Sequence, residues 1–188
     1  KLFRRIKETH EQNKKMSLEK IPKEKLREVG KILINNDIAR RNFARENGFN
    51  VEAFAIAAPA LFTELGFYLR YQEEKDFQGY GRLSDKNSHD RAVEGLLHSL
   101  DRLYNEKAVD KIHLYNYQAE KHLETFSLRE QQWDINILPS TEVIKARRQQ
   151  FQDKTLRLQL IARAYSVIPR MSPPIKAIVE ALIEQLKD

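Results

Sequence analysis

Apolar residues at helical spacing are the clearest pattern in this sequence of 188 residues. The stretch 172–186 opens with Ser-Pro-Pro and then repeats apolar residues every three or four positions, which predicts a capped amphipathic helix. An apolar stripe over 88–104 predicts a second helix with one buried face. The same spacing predicts helices over 109–126 and 140–168, the second of which ends at Pro169.

The most apolar stretch, 51–69, approaches the length of a membrane span but contains Glu52, Pro59 and Glu64, which are costly in hydrocarbon. We therefore predict a buried core helix there. Six glycines and six prolines are few for a turn-rich β protein. The predicted fold class is all-α: an irregular multi-helix bundle with a long C-terminal helical hairpin and a less tightly packed, basic N-terminal helical segment.

Charge is distributed unevenly along the chain, whose total net charge is +6. Residues 1–48 carry a net charge of +7, residues 49–139 a net charge of −5 and residues 140–188 a net charge of +4. Basic ends attract an external polyanion, or they pack beside the acidic middle and neutralise it. The change of pattern near residue 48 predicts a basic helical arm over 1–48 and a helical core over 49–188, within one continuous domain.

Cysteine is absent, which excludes disulfides, thiolate zinc sites and thiol nucleophiles. This composition suits a reducing compartment, so a soluble protein with a cytoplasmic location is expected. The sequence does not identify the parent protein, the oligomeric state or the biological process.

Gly79-Tyr80-Gly81 is the only glycine-rich segment that invites a phosphate-binding interpretation. It has neither the Lys-Ser/Thr of a P-loop nor the third glycine of a dinucleotide fingerprint. We interpret it as a turn in which Tyr80 packs against the core. Alternatively, Tyr80 and Arg82 display a stacking ring beside a cation.

The histidines do not form a helical metal site, because His89 and His98 are nine residues apart and lie on opposite faces of a helix. His89-Asp90 superficially resembles a pair from metal-dependent phosphohydrolases, but we interpret it as part of a surface. The acids Glu52 and Glu64 fit a first helical turn and an ion pair, respectively. The expectation is therefore no metal, no cofactor and no enzymatic activity.

Clusters of arginine and lysine are the residues most suited to binding a partner, because both side chains bind phosphate well. They predict a non-catalytic helical module, alone or as a subunit of a larger ribonucleoprotein assembly, that holds the phosphate backbone of a nucleic acid. The alternatives are a protein-interaction module, such as a bacterial effector or scaffold domain, and a docking module for anionic membrane lipids. The candidate anion-binding residues are Tyr80, Arg82, Arg40, Arg41, Arg45, Lys145, Arg147, Arg148, Lys154 and Arg157.

Overall fold

A computed structural model describes residues 37–187 of the chain, with six helices and four strands in this part. Most of the predicted basic arm, residues 1–36, lies outside the described residues, and the boundary at residue 48 stays a prediction. In chain order the elements are α1 (Asp37–Glu46), β1 (Glu52–Ile56), α2 (Ala60–Gln78), α3 (Lys86–Asn105), β2 (Lys111–Tyr115), β3 (His122–Arg129), β4 (Gln132–Trp133), α4 (Pro139–Gln152), α5 (Lys154–Val167), a 3-10 turn (Ile168–Arg170) and α6 (Pro173–Lys187).

The prediction of an all-α bundle is wrong, because the chain forms a four-stranded mixed sheet in the order β1-β2-β3-β4. Strands β1 and β2 are parallel and pair Ala53 with Ile112 and Ala55 with Leu114. Strands β2 and β3 are antiparallel, as are β3 and β4. The parallel pair needs a long crossover, which contains α2 and α3.

The strands of the stretch 109–126 are too short for their pattern to exclude a helix. Strand β2, Lys-Ile-His-Leu-Tyr, alternates polar and apolar residues over only four positions, and it is buried from Ile112 to Tyr115. Between β2 and β3 the Asn116 carboxamide oxygen accepts the backbone N–H groups of Glu120 and Lys121 at 3.0 and 2.9 Å. The stretch 109–126 is therefore strand, turn and strand, rather than the expected helix.

Two of the predicted helices are confirmed. They are α3, which covers 88–104, and α6, which begins at Pro173. Helix α1 lies within the predicted basic helical arm and ends before Gly48, which has a positive φ of 80°. The predicted long helix over 140–168 is instead two helices. Asp153 lies between α4 and α5 in an extended conformation, and its carboxylate caps α5 by accepting the backbone N–H groups of Thr155 and Leu156.

The described residues fall into two compact units, of which the first contains 37–56 and 97–142 and the second contains 57–96 and 143–187. The first unit holds the sheet, whose largest fully buried side chains are Phe126, Ile112 and Leu114. In the second unit α2, α5 and α6 pack against one another in pairs. Their shared core is built from leucine, isoleucine, valine and phenylalanine, including Phe62, Leu65, Leu69, Leu160, Val179, Ile183 and Leu186.

None of the helices among residues 37–187 has both the length and the apolar character that a membrane span requires.

Candidate functional site

The connection between α2 and α3, in the second unit, is an exposed turn whose backbone is held closely against α2. Helix α2 ends at Gly79, which has a left-handed φ of 80° and donates its N–H to the Lys75 carbonyl at 2.8 Å. Gly81 lies against the backbone of Tyr71, so close that a Cβ at this position would overlap the Tyr71 carbonyl oxygen. The Arg82 backbone N–H then donates to Glu74 Oε2 at 3.4 Å.

A ring and a cation are among the side chains of this connection that face solvent. Tyr80 is 72% exposed, so the interpretation that its ring packs against the core is wrong. Arg82 is exposed as well, and within residues 37–187 no ion pair or hydrogen bond involves its guanidinium. Arg70 and Arg91 are engaged, in contrast, since Arg70 pairs with Glu74 and Arg91 donates to Ser88 Oγ. Tyr80 and Arg82 therefore present, two residues apart, a ring and a cation that has no ion-pair partner among residues 37–187.

A polar cluster lies at the start of α3, beside the first turns of α2. Lys86 Nζ is 2.9 Å from Glu64 Oε2 and 3.3 Å from Asp90 Oδ1. His89 fills the other side of the cluster, with Nε2 2.9 Å from Thr63 Oγ1 and Nδ1 3.0 Å from Asp90 Oδ1. The expected pairing of Glu64 is confirmed, although its partner comes from α3 and not from a terminal segment.

The electrostatics of this cluster favour the charged forms of Asp90 and Lys86. The hydrogen bond from His89 lowers the pKa of Asp90, with Lys86 acting in the same direction. The hydrogen bond to Glu64 raises the pKa of Lys86, which keeps its ammonium charged. Glu64, His89 and Asp90 also place one ligand atom each within 4.8 Å of one another, a spacing that a metal ion accepts. The Lys86 ammonium already contacts both carboxylates, so a metal ion bound between them would have to displace it.

In the first unit, two of the candidate arginines form an ion-pair cluster around one carboxylate. Asp110 Oδ1 is 3.2 Å from Arg41 Nε and 2.7 Å from Arg45 Nε, and Asp110 Oδ2 accepts the Val51 N–H at 2.8 Å. Arg41 is 4% exposed, contrary to the expectation of an exposed basic face, and it also donates to the Lys107 carbonyl. Its guanidinium is therefore committed to the protein's own backbone and carboxylate. Arg40 lies in the same helix.

A row of polar side chains crosses the sheet of the first unit. Glu52, on β1, is 3.0 Å from Lys111 Nζ and 3.1 Å from His113 Nε2, both on β2. The other ring nitrogen of His113 is 2.8 Å from Thr125 Oγ1 on β3. Burial alone raises the pKa of Glu52, but the hydrogen bonds and charges of Lys111 and His113 lower it below its ordinary value. The row therefore links three strands, and its centre is shielded from solvent because His113 is only 1% exposed.

The remaining basic candidates lie in α4 and α5 of the second unit. Arg147 donates to the Val93 carbonyl at 3.2 Å, and burial lowers its pKa. Arg157 donates to the Leu186 carbonyl at 3.0 Å, where it satisfies the end of α6. Lys145, Arg148 and Lys154 are exposed. Anion binding at these positions stays a prediction, as do the nucleic-acid, protein and membrane partners.

The mixed sheet with its helical crossover defines the class of an α/β protein, and the α2–α3 connection gives it a ring and a cation suited to an anionic ligand. The family model for the Zeta toxin matches residues 33–127, just over half of the chain. The chain belongs to the Zeta toxin family. No curated protein matches it.

Family membership corrects the functional expectations. The Zeta toxin family is related to P-loop kinases, which points to a catalytic, nucleotide-binding protein. The predictions of a non-catalytic nucleic-acid binder and of no enzymatic activity are therefore wrong. Sequence reasoning also missed Glu74, whose spacing of four residues from Arg70 signals a pair on one helix face.

Proposed function

We propose that the protein is a toxin-type phosphotransferase that binds a nucleoside triphosphate. Membership of a family related to P-loop kinases is the observation that carries this proposal. The matched residues, 33–127, include the whole α2–α3 connection and the polar cluster at the start of α3. The reaction class is transfer of the terminal phosphoryl group to an acceptor hydroxyl or to water.

A P-loop binds phosphate through its backbone N–H groups, but its G-x-x-x-x-G-K-[ST] sequence does not occur among these 188 residues. We therefore assign binding of the triphosphate by this part of the protein to side chains. Arg82 is the candidate ligand of the triphosphate. Its guanidinium is exposed and unpaired in the described part of the chain, so binding a phosphate breaks no existing ion pair. Tyr80 offers a ring for a nucleobase.

Phosphoryl transfer requires little covalent chemistry from the protein, since catalysis is mostly positioning and stabilisation of charge on the transferred group. An arginine that reaches this group supplies such stabilisation. The polar cluster of Glu64, Lys86, His89 and Asp90 is held together by its own ion pairs and hydrogen bonds, and its proposed role is to anchor the start of α3 against α2.

Nucleotide binding tests the proposal. Titration with a fluorescent ATP analogue that carries the N-methylanthraniloyl group is expected to give saturable binding, displaced by ATP and by GTP or by one of them. Arg82→Ala is expected to weaken it about tenfold or more, the size expected for a lost hydrogen bond to a charged group. Arg163→Ala removes another exposed arginine of the same unit, one that already pairs with Glu73, and is the matched control. Absence of saturable binding to the folded wild-type chain would contradict the proposal.

The reaction class needs a separate assay. The protein is incubated with magnesium and γ-labelled ATP or GTP, alone and with a protein-free extract of bacterial metabolites, and the products are separated by thin-layer chromatography. We expect release of labelled phosphate or a labelled small molecule, reduced by Arg82→Ala. If neither nucleotide gives a labelled product while binding is intact, the protein binds nucleotides without transferring phosphate.

A cytoplasmic location is part of the same proposal. It is supported by the absence of cysteine from the sequence and by the requirement for a nucleoside triphosphate.

A further inference from the structure

We propose that Glu74 and Gly81 are positioning residues that fix Arg82 for contact with phosphate. This inference rests on the proposed function, because it assumes that Arg82 binds the triphosphate. Glu74 lies on α2 and Gly81 lies in the turn, and both act on the backbone of the connection.

Gly81 brings the turn into direct contact with α2. A Cβ built on Gly81 would overlap the Tyr71 carbonyl oxygen and would lie 3.0 Å from Tyr71 Cδ2. The first of these neighbours is backbone and cannot swing away. Any larger residue at position 81 therefore has to push the turn off the helix, and Arg82 would move with it.

Glu74 holds the next residue in place. Its Oε2 accepts the Arg82 backbone N–H at 3.4 Å, while its Oε1 lies 3.8 Å from Arg70 Nε. The carboxylate thus bridges α2 and the turn without neutralising the Arg82 guanidinium, which has no ion-pair partner among residues 37–187. A charged side chain that is anchored through its backbone loses less freedom when a ligand binds.

A positioning role for Glu74 and a purely electrostatic role predict opposite changes in the affinity for phosphate. Glu74 is negative and close to Arg82, so removing its charge alone would strengthen the attraction of a phosphate. Loss of the anchor has the opposite effect, since the turn gains conformations that do not bind. The sign of the change in affinity therefore decides between the two roles.

The experiment measures the dissociation constant of the fluorescent ATP analogue for Glu74→Ala, Glu74→Gln and Arg82→Ala. We expect Glu74→Ala to weaken binding about two- to tenfold, the effect of freeing one anchored side chain. Glu74→Gln keeps an oxygen that accepts the Arg82 N–H and is expected to restore most of the affinity. Glu73→Ala is the matched control, because the neighbouring Glu73 pairs with Arg163 instead.

Gly81→Ala provides an independent test of the same anchor, with Gly95→Ala as its control because a Cβ at Gly95 meets no atom within 4 Å. Gly81→Ala is expected to weaken binding at least as much as Glu74→Ala, with the helical circular dichroism signal retained. If Gly81→Ala does not fold, the two Glu74 variants decide.

The variants distinguish a failure of the positioning inference from a failure of the proposed function. If Arg82→Ala leaves binding unchanged, Arg82 is not the phosphate ligand and the proposed site fails. If Arg82→Ala weakens binding but Glu74→Ala leaves it unchanged or tightens it, the positioning inference is overturned while the site stands.

Discussion

Arg41 in the first unit and Arg82 in the second carry the same guanidinium in opposite environments. Arg41 is buried and bound to the Asp110 carboxylate and to the Lys107 carbonyl. Arg82 faces solvent, and its neighbouring carboxylate, Glu74, contacts its backbone instead of its charge. Arg41 therefore serves stability, whereas Arg82 is available to a ligand.

Two groups of side chains differ in the same way. The row of Glu52, Lys111 and His113 satisfies its charges across the sheet, around a histidine that is buried. In the connection, the backbone N–H groups of Gly79 and Arg82 are bonded to α2, while the Tyr80 ring is exposed and the Arg82 guanidinium has no ion-pair partner among residues 37–187. The surface that we propose for ligand binding therefore combines a backbone held by hydrogen bonds with exposed side chains.

The largest effect is expected at the buried ion pair. Asp110→Ala leaves the Arg41 charge buried without a carboxylate, and we expect it to lower the free energy of unfolding by about 3–5 kcal/mol. Arg82→Ala is expected to change it by no more than about 0.5 kcal/mol, since the side chain is exposed. Urea denaturation followed by circular dichroism measures both. Equal losses in the two variants would remove the distinction between the two arginines.

Tyr80→Ala tests the ring of the ligand-facing connection. If the ring stacks on a nucleobase, the substitution weakens nucleotide binding by about 1–3 kcal/mol and leaves thermal stability unchanged. Phe77→Ala is the control, because Phe77 is 88% exposed on the last turn of α2 and has no assigned role. A similar loss of affinity in both variants would indicate general attraction to apolar surface instead of stacking.

Acid is expected to weaken the sheet row of the first unit. The pKa of Glu52 is lower in the folded protein than its ordinary value of 4.5, so its contribution is present above that pH and is lost as pH falls through the folded pKa. Glu52→Gln should therefore reduce stability by about 1 kcal/mol at neutral pH. Urea denaturation at neutral and at strongly acidic pH should show this difference shrinking in acid. A difference that persists there would show that the ionised carboxylate is not its cause.

The smallest effect is expected for the second arginine of the Asp110 cluster. Arg45 is 43% exposed and shares Asp110 Oδ1 with Arg41. Because exposed ion pairs contribute little, Arg45→Ala should cost less than about 1 kcal/mol of stability. If Arg45→Ala lowered the free energy of unfolding as much as Asp110→Ala does, the ion pair itself, and not its burial, would determine the loss of stability.

Apolar periodicity predicts the helices that have one buried face, but it does not predict the sheet. Helices α3 and α6 carry regular apolar stripes, so their positions follow from spacing. Strand β1, with the sequence Glu-Ala-Phe-Ala-Ile, contains alanine, which favours helices when considered alone. Pairing with β2 overrides this preference, and such long-range pairing is not visible in local sequence.

The sequence predicts the residue types of the candidate site but not their surroundings. It offers Tyr80 and Arg82 as a stacking ring beside a cation only as the alternative to a Tyr80 that packs against the core. It also groups Arg41 with them, although Asp110, 69 residues away, holds Arg41 in the core. Sequence alone gives residue types but not their partners. The distinction between an engaged and an available arginine therefore required the fold.

The most direct test of the central claim is the site at which a photoreactive ATP analogue attaches. Trypsin cleaves after Lys75 and Arg82, so labelling with 8-azido-ATP, digestion and mass spectrometry isolate the segment that contains Tyr80 as one peptide, residues 76–82. The account predicts that the label is on this peptide and that excess unlabelled ATP prevents it. Attachment elsewhere in the chain, or labelling that ATP does not displace, would contradict a nucleotide site at the α2–α3 connection.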